Sequence, residues 1–186
     1  MLACKQAENW YAVQVWTQYE KVVNAALTLK GIESLLPAKR VLRRWCDRTK
    51  ASDIPLFPGY VFARFDPERT LPVLVTPKVQ RIVNLGTHPA PIPDEEIAAI
   101  RKVVASGLDA ESCPTPTIGE RVFILSGPLT GVSGILIERR SSLRLIVSVQ
   151  LIHRSISVEV TPSMLAQEWE GPRKTDSRTL GFMAGT

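Results

Sequence analysis

Six basic residues lie close together between positions 39 and 50, a stretch that contains a single acid, Asp47. The basic residues are Lys39, Arg40, Arg43, Arg44, Arg48 and Lys50. Lysine and arginine at this density can contact successive phosphates of a nucleic acid, with an affinity that falls steeply as salt rises. The net charge of +5 also favours a polyanionic partner. The alternative is a solvated hairpin whose charge only keeps the chain soluble; we favour nucleic acid contact.

The cysteines and histidines form no pattern that predicts catalysis or metal binding. Cys4, Cys46 and Cys113 are far apart, and the sequence lacks the close CxxC pairs of most metal sites. His88 and His153 have no matching ligands nearby, and no triad-like motif accompanies them. We therefore predict a protein that is not an enzyme, holds no metal or other cofactor, crosses no membrane, and keeps free thiols in the cytoplasm.

The elements that must position the basic segment belong to a mixed domain. Residues 10–15 are rich in β-branched and aromatic side chains and predict a strand. Residues 19–30 carry apolar side chains at helical spacing, and a short helix is expected near 67–76. Asp94 is a suitable N-cap for another amphipathic helix that Gly107 ends. The order predicts a sheet flanked by helices.

Residues 60–65 alternate as a strand does, but both of their faces carry aromatic rings. Val61, Ala63 and Phe65 share one face, whereas Tyr60 and Phe62 share the other. Aromatic side chains on that second face are unusual for a surface in contact with solvent. Either a helix covers this face, or the face is open for a partner.

The last third of the chain predicts a small all-β domain. Residues 122–137, VFILSGPLTGVSGILI, contain turn-forming Gly and Pro residues between two apolar runs. Strands are expected at 121–125, 134–139, 144–150 and 155–160, which suits a small antiparallel barrel. Residues 107–117 are polar, contain prolines and predict a linker, and the polar tail at 168–186 predicts disorder.

These motifs together resemble the NusG family of transcription elongation factors. The similar segments are Trp10–Val13, Pro55–Phe62 (PLFPGYVF), Val79–Glu96, and the Gly- and Pro-containing stretch at 122–137, which is similar to a KOW motif. The resemblance implies an α+β protein: an NGN-like sandwich at 8–106, with an antiparallel sheet flanked by helices, a linker at 107–117, and an SH3-like KOW β-barrel at 118–167.

The family resemblance implies that the N-terminal domain binds the clamp helices of RNA polymerase and promotes processivity. By motif, the polymerase-binding residues would be Trp10, Tyr11, Phe57, Tyr60 and Phe62. For Trp10 and for Phe65 we favour a core role, and for Phe57 and Tyr60 the interface. The basic residues Arg40, Arg43, Arg44, Arg48 and Lys50 lie on what resembles the family's β-hairpin, near upstream or non-template DNA.

The resemblance also implies that the KOW domain recruits a second factor, either the termination factor Rho or a ribosomal protein. The matching loop contains Ile152, His153 and Arg154, and Ile152 stands where NusG has an aromatic residue. This departure weakens the expectation of Rho binding, leaves ribosome binding open, and slightly favours a specialised antiterminator of the RfaH type.

The sequence predicts a stable barrel rather than one that refolds into helices. Its many β-branched residues and its Gly and Pro residues disfavour a helix.

We expect the protein to be a monomer. A ribosome- or RNA-binding KOW protein without a polymerase role is the alternative function.

Overall fold

The computed structural model of the chain describes residues 8–45, 48–115, 119–139 and 142–165. The N-terminal elements are β1 Asn9–Val15, α1 Glu20–Leu29, β2 Glu33–Leu35, β3 Ala38–Trp45, β4 Arg48–Pro55, β5 Tyr60–Phe65, α2 Leu71–Leu74, β6 Val79–Ile82, β7 Asn84–Leu85, β8 His88–Pro89, β9 Pro91–Ile92 and α3 Asp94–Ala105. The C-terminal elements are β10 Ala110–Pro114, β11 Glu120–Phe123, β12 Ser133–Arg139, β13 Ser142–Val149 and β14 Arg154–Val160, with 3-10 turns at Gln150–Ile152 and Pro162–Met164.

The N-terminal sheet is antiparallel, with β1 and β5 at its centre. Its order is β2-β5-β1-β6, and β9 also pairs with β1. Alternate residues of β1 enter two different apolar clusters, as the two-residue period of a strand requires. Trp10 and Ala12 join the cluster that includes α3, whereas Tyr11 and Val13 join the cluster that includes α1 and α2. Helices therefore cover both faces of the sheet, as predicted.

The start of α3 differs by one residue from the prediction. Pro93 occupies the N-cap position, and Asp94 is the first helical residue rather than the cap. Proline fixes its own φ at about −65°, but its side chain has no atom that could accept a hydrogen bond from the first N–H groups of the helix. Asp94 still lies in the first turn with Glu95 and Glu96, where negative charge is favourable to the helix dipole.

The C-terminal strands form a second antiparallel sheet in the order β10-β14-β13-β12-β11. An isolated bridge between Ile124 and Leu165 and a hydrogen bond from the Leu125 N–H to the Met164 carbonyl join the segment after β11 to the end of the described chain. Strands β11 to β14 confirm the four predicted barrel strands. The mixed α+β fold class is therefore confirmed.

Part of the predicted linker is a barrel strand. Ala110 to Pro114 pair in register with Val158 to Arg154, so β10 lies at the edge of the sheet beside β14. An edge position tolerates proline because only one side of the strand takes part in the ladder. The predicted linker at 107–117 is wrong for residues 110–114. Residues 116–118 and the predicted disordered tail at 168–186 lie outside the described residues.

The two halves of the chain share one apolar cluster. It contains Trp10, Phe57 and Phe62 of the N-terminal half, the buried residues of α3, and barrel residues such as Leu129 and Val132. Among the described residues, no helix is long and apolar enough to cross a bilayer.

Candidate functional site

The aromatic residues beside α3 form a buried group rather than an open surface. Trp10, Phe57 and Phe62 are 3%, 1% and 0% exposed, and Tyr60 is half-buried against the same cluster. The rings of Phe57 and Phe62 meet edge to face, with centroids 5.3 Å apart. Of the two alternatives predicted for this face, coverage by a helix is confirmed, because the apolar side of α3 packs in the same cluster.

Tyr11 belongs to the other face of the sheet. Its ring lies 4.6 Å from that of Phe65, and both pack in the cluster that includes Val23 and Leu27 of α1. Since Trp10 and Tyr11 are consecutive strand residues, they must point to opposite faces. Tyr11, predicted among the polymerase-binding residues, therefore lies on the face opposite Phe57 and Tyr60, whereas the predicted core positions of Trp10 and Phe65 are confirmed.

A turn holds Phe57 and Tyr60 in place before β5. The Tyr60 N–H donates to the Phe57 carbonyl at 3.1 Å, and the Leu56 N–H donates to the Pro37 carbonyl at 2.8 Å. Gly59 has φ of +82°, a value that non-glycine residues rarely adopt. The family-like Pro-Gly sequence therefore has a conformational reason within the turn.

Glu20 supports this turn from α1, and it is not among the site residues predicted from the sequence. Its carboxylate accepts a hydrogen bond from the Gly59 N–H at 2.8 Å, and the residue is 3% exposed. Glu20 shares the helical spacing of Val23 and Leu27, the buried residues of α1. An acid at that spacing on the apolar side of a helix was the available signal.

The basic segment forms a two-stranded hairpin. Strands β3 and β4 pair from Ala38 with Pro55 through to Trp45 with Arg48, and this register sets Arg43 opposite Lys50. Arg43, Arg44, Arg48 and Lys50 thus come together by backbone position near the turn. Arg40 is exposed further back, opposite Asp53. Asp47 and Cys46 lie outside the described residues, as do the side chains of residues 42–50.

Lys39, the first residue of the basic segment, has an acidic partner. Its ammonium group forms an ion pair with Asp109, which precedes β10. This pair partly neutralises Lys39 and ties the base of the hairpin to the segment after α3.

The predicted partner-binding loop lies at the end of β13. Ile152 ends a 3-10 turn and is only 9% exposed, packed in the shared apolar cluster. His153 follows with φ of +49°, and both His153 and Arg154 are exposed. The loop therefore presents His153 and Arg154 to solvent, but not Ile152.

Helix α3 also contacts the barrel directly. The Lys102 ammonium donates to the Thr130 carbonyl at 2.8 Å, and a cavity of about 200 Å³ lies between α3 and the barrel. Burial raises the pKa of the Glu96 carboxyl beside this cavity, a hydrogen bond from the Gln150 backbone lowers it, and the charge of Glu95 raises it. The interaction between Glu96 and the Gln150 backbone joins α3 to the loop after β13.

Comparison with known proteins identifies the family. The sequence model of NusG, described as transcription termination factor nusG, matches residues 8–101. The transcription termination/antitermination protein NusG of Campylobacter jejuni is 30% identical over 84% of this chain and 96% of its own length. The protein of the same description from Borreliella burgdorferi is 28% identical over 81% of this chain and 94% of its own length.

A solved structure concerning domain interaction in Thermotoga maritima NusG is similar to this chain as well. It has a TM-score of 0.51 and 25% sequence identity, and the match covers 87% of this chain and 98% of that one. The family match over the N-terminal half and the relatives that span both halves agree. This chain belongs to the NusG family and is a NusG-like transcription factor.

Proposed function

We propose that this protein binds the clamp helices of RNA polymerase through its N-terminal half, residues 8–106, and promotes processive elongation. It acts as a monomeric binding protein in the cytoplasm, without catalytic activity or a cofactor. The observation that carries the proposal is the aromatic group of Phe57, Tyr60 and Phe62 within the segment matched by the NusG family. Large aromatic side chains are frequent anchors of protein interfaces.

The three aromatic residues differ in solvent exposure, and we assign them different roles on that basis. Tyr60 is half-buried and able to touch the polymerase, whereas Phe57 and Phe62 are buried and support it from below. Trp10 and Tyr11 are core residues on the two faces of β1. We therefore assign the direct contact to Tyr60, which lies two residues before Phe62 in β5; Phe62 is the pairing partner of the half-buried Leu35 of the edge strand β2.

Binding to an RNA polymerase elongation complex tests this proposal. Tyr60→Ala should weaken binding about tenfold or more while the far-ultraviolet circular dichroism spectrum stays unchanged. Tyr19→Ala is the matched control, because it removes another partly exposed tyrosine, one that precedes α1 and has its ring 4.7 Å from the Lys78 ammonium. Equal affinity of Tyr60→Ala and wild type would refute the assignment of Tyr60. Failure of wild type to bind, together with capture of ribosomes or RNA, would replace the polymerase role by the alternative function.

The hairpin supplies a second contact, with upstream or non-template DNA. Arg43, Arg44, Arg48 and Lys50 are gathered near its turn, and Arg40 extends the positive charge along β3. Backbone contacts of this type position a protein on DNA without specifying a sequence. Replacing Arg43, Arg48 and Lys50 by Ala should lower the slope of log affinity against log salt by about 0.9 for each duplex phosphate that these residues neutralise. An unchanged slope would exclude the hairpin.

The barrel, residues 118–167, recruits a second factor through the loop of Ile152, His153 and Arg154. A ribosomal protein is the favoured partner, because the aliphatic Ile152 is only 9% exposed and offers little apolar surface for Rho. We propose a specialised antiterminator over a general factor on this one feature. A termination assay with Rho tests it: added protein should leave termination unchanged or reduce it, and stimulation of termination would establish a general NusG activity.

A further inference from the structure

Helix α3 has two contact faces, one toward the sheet and one toward the barrel. Ile97, Ile100 and Val103 are buried in the cluster that contains the sheet aromatics. On the barrel side, Lys102 reaches the Thr130 carbonyl, and Glu96 borders the cavity beneath β13. The helix is therefore a layer between the two halves, and its outer face is where the barrel docks.

The carboxyl group of Glu96 is incompletely hydrogen-bonded, among the described residues, when the barrel is docked on α3. Its Oε2 atom is buried, and it has no hydrogen-bond partner among the described residues. A buried acceptor without a partner destabilises the state that buries it, and more so when it carries a charge. The backbone of Gln150, which begins the 3-10 turn that Ile152 ends, lowers the pKa of this carboxyl and so offsets part of the effect of burial.

We propose that Glu96 makes the docking of the barrel on α3 dependent on protons: the barrel docks firmly when this carboxyl is neutral and is released more readily when it is ionised. The interface is suited to such control because it is incompletely packed. A cavity of about 200 Å³ remains between α3 and the barrel. At the far end of the helix, the Lys102 side chain joins α3 to the barrel through its hydrogen bond to the Thr130 carbonyl.

The direction of the effect follows from the environment of Glu96. Burial is the largest influence, and it raises the pKa of this carboxyl in the docked form. Release returns the side chain to water and its pKa to the ordinary range. The docked form therefore binds more protons, so docking strengthens as pH falls toward the ordinary range and weakens as pH rises through the raised pKa.

Few other ionisable groups face Glu96. Glu95 is its neighbour on α3, and Arg121 of β11 lines the same cavity. The residues that β12 and β13 contribute to the cavity are uncharged: Ser133, Gly134, Ile135, Ile146, Val147 and Ser148. His153 lies three residues beyond Gln150, whose backbone interacts with Glu96, so it requires a control of its own.

NMR relaxation of backbone 15N in the full chain tests the proposal, because docked halves tumble together and released halves tumble separately. Lowering the pH from about 7.5 to about 5.5 at constant ionic strength should raise the docking equilibrium constant. The limit is about fivefold, the lower end of what an unsatisfied buried group costs, and it is reached only below the ordinary pKa of the carboxyl. Glu96→Gln should stay docked at both pH values. If wild type is fully docked throughout, the same comparison is made in a Lys102→Ala background, where docking is weaker.

Two controls separate Glu96 from general effects of charge. Asp94→Asn removes another acid from the first turn of α3 and so matches the loss of helix-dipole stabilisation; it should keep the pH dependence of wild type. His153→Asn should keep it too, since Asn tolerates a left-handed backbone. A docking equilibrium that is measurable, in wild type or in the Lys102→Ala background, but does not change with pH would overturn the proposal. So would a Glu96→Gln variant that retains the pH dependence, or an Asp94→Asn or His153→Asn variant that loses it.

Release of the barrel from α3 also affects the loop that carries Ile152, His153 and Arg154. Because the Gln150 backbone contacts Glu96, release of the barrel frees this loop from α3. The measurement uses the free protein, so its outcome is independent of whether the protein binds polymerase.

Discussion

The hydrogen bond between Glu20 and Gly59 gives a sharp prediction about the turn that carries Tyr60. Glu20→Ala removes the acceptor and leaves the Gly59 N–H without a partner in a buried position. A hydrogen bond to a charged group contributes about 1.5–3 kcal/mol to stability. Glu20→Gln keeps an acceptor of nearly the same length, so it should retain much of this stabilisation.

Thermal unfolding followed through the N-terminal half measures the difference. For a domain of roughly 60–100 residues, 1 kcal/mol shifts Tm by about 4–8 °C, so Glu20→Ala should lower Tm by about 6 °C or more. Hydrogen exchange gives a local readout, because the Gly59 amide should lose protection in Glu20→Ala but not in Glu20→Gln. Polymerase affinity should fall with it, since the turn positions Tyr60.

The reasoning fails if Glu20→Ala is as stable as Glu20→Gln, or if the Gly59 amide exchanges at the same rate in both. Either result would mean that water replaces the carboxylate at no cost. It would also remove the structural reason for an acid at this position.

Gly134→Ala should destabilise the barrel by about 1–3 kcal/mol in urea unfolding, because a Cβ there would lie 2.5 Å from the Ile146 carbonyl oxygen. Gly107→Ala is the comparison, since its φ of +67° costs about 1 kcal/mol but nothing lies within 4 Å; equal stability of Gly134→Ala and wild type would contradict the packing argument. Phe62→Ala should cost about 3–5 kcal/mol, and a loss under about 1 kcal/mol would show that Phe62 is not a core residue. Burial raises the pKa of the Cys113 thiol, so alkylation of Cys113 at about pH 8 should be slower than that of free cysteine, and an equal rate would count against this burial.

Local periodicity is enough to predict most elements of the fold. The helix beginning at Glu20, the helix beginning at Asp94 and the strands β11 to β14 each show a spacing that identifies them on their own. Strand β10 does not, because Ala110–Pro114 is polar and ends in proline. It forms because β14, about 40 residues later, has unpaired backbone N–H and C=O groups along one edge. A local sequence pattern does not show that such a distant edge is available.

The candidate site is harder to predict because its character depends on which groups are covered. Alternation along β5 correctly places Tyr60 and Phe62 on one face, but it does not decide whether a helix covers them. Tyr11 is misplaced when the family motif is treated as a block, because consecutive strand residues face opposite ways. The contact of Glu20 with Gly59 joins residues 39 positions apart, and only the folded chain brings them together.

The position of α3 between sheet and barrel has a consequence for synthesis of the chain. The helix ends at Ala105, and the last described barrel residue, Leu165, is made about 60 residues later. At roughly 5–20 residues per second, the ribosome takes about 3–12 seconds to add them. During that interval the barrel that covers the outer face of the helix is incomplete, so the newborn protein passes through a stage in which the complete barrel does not cover that face.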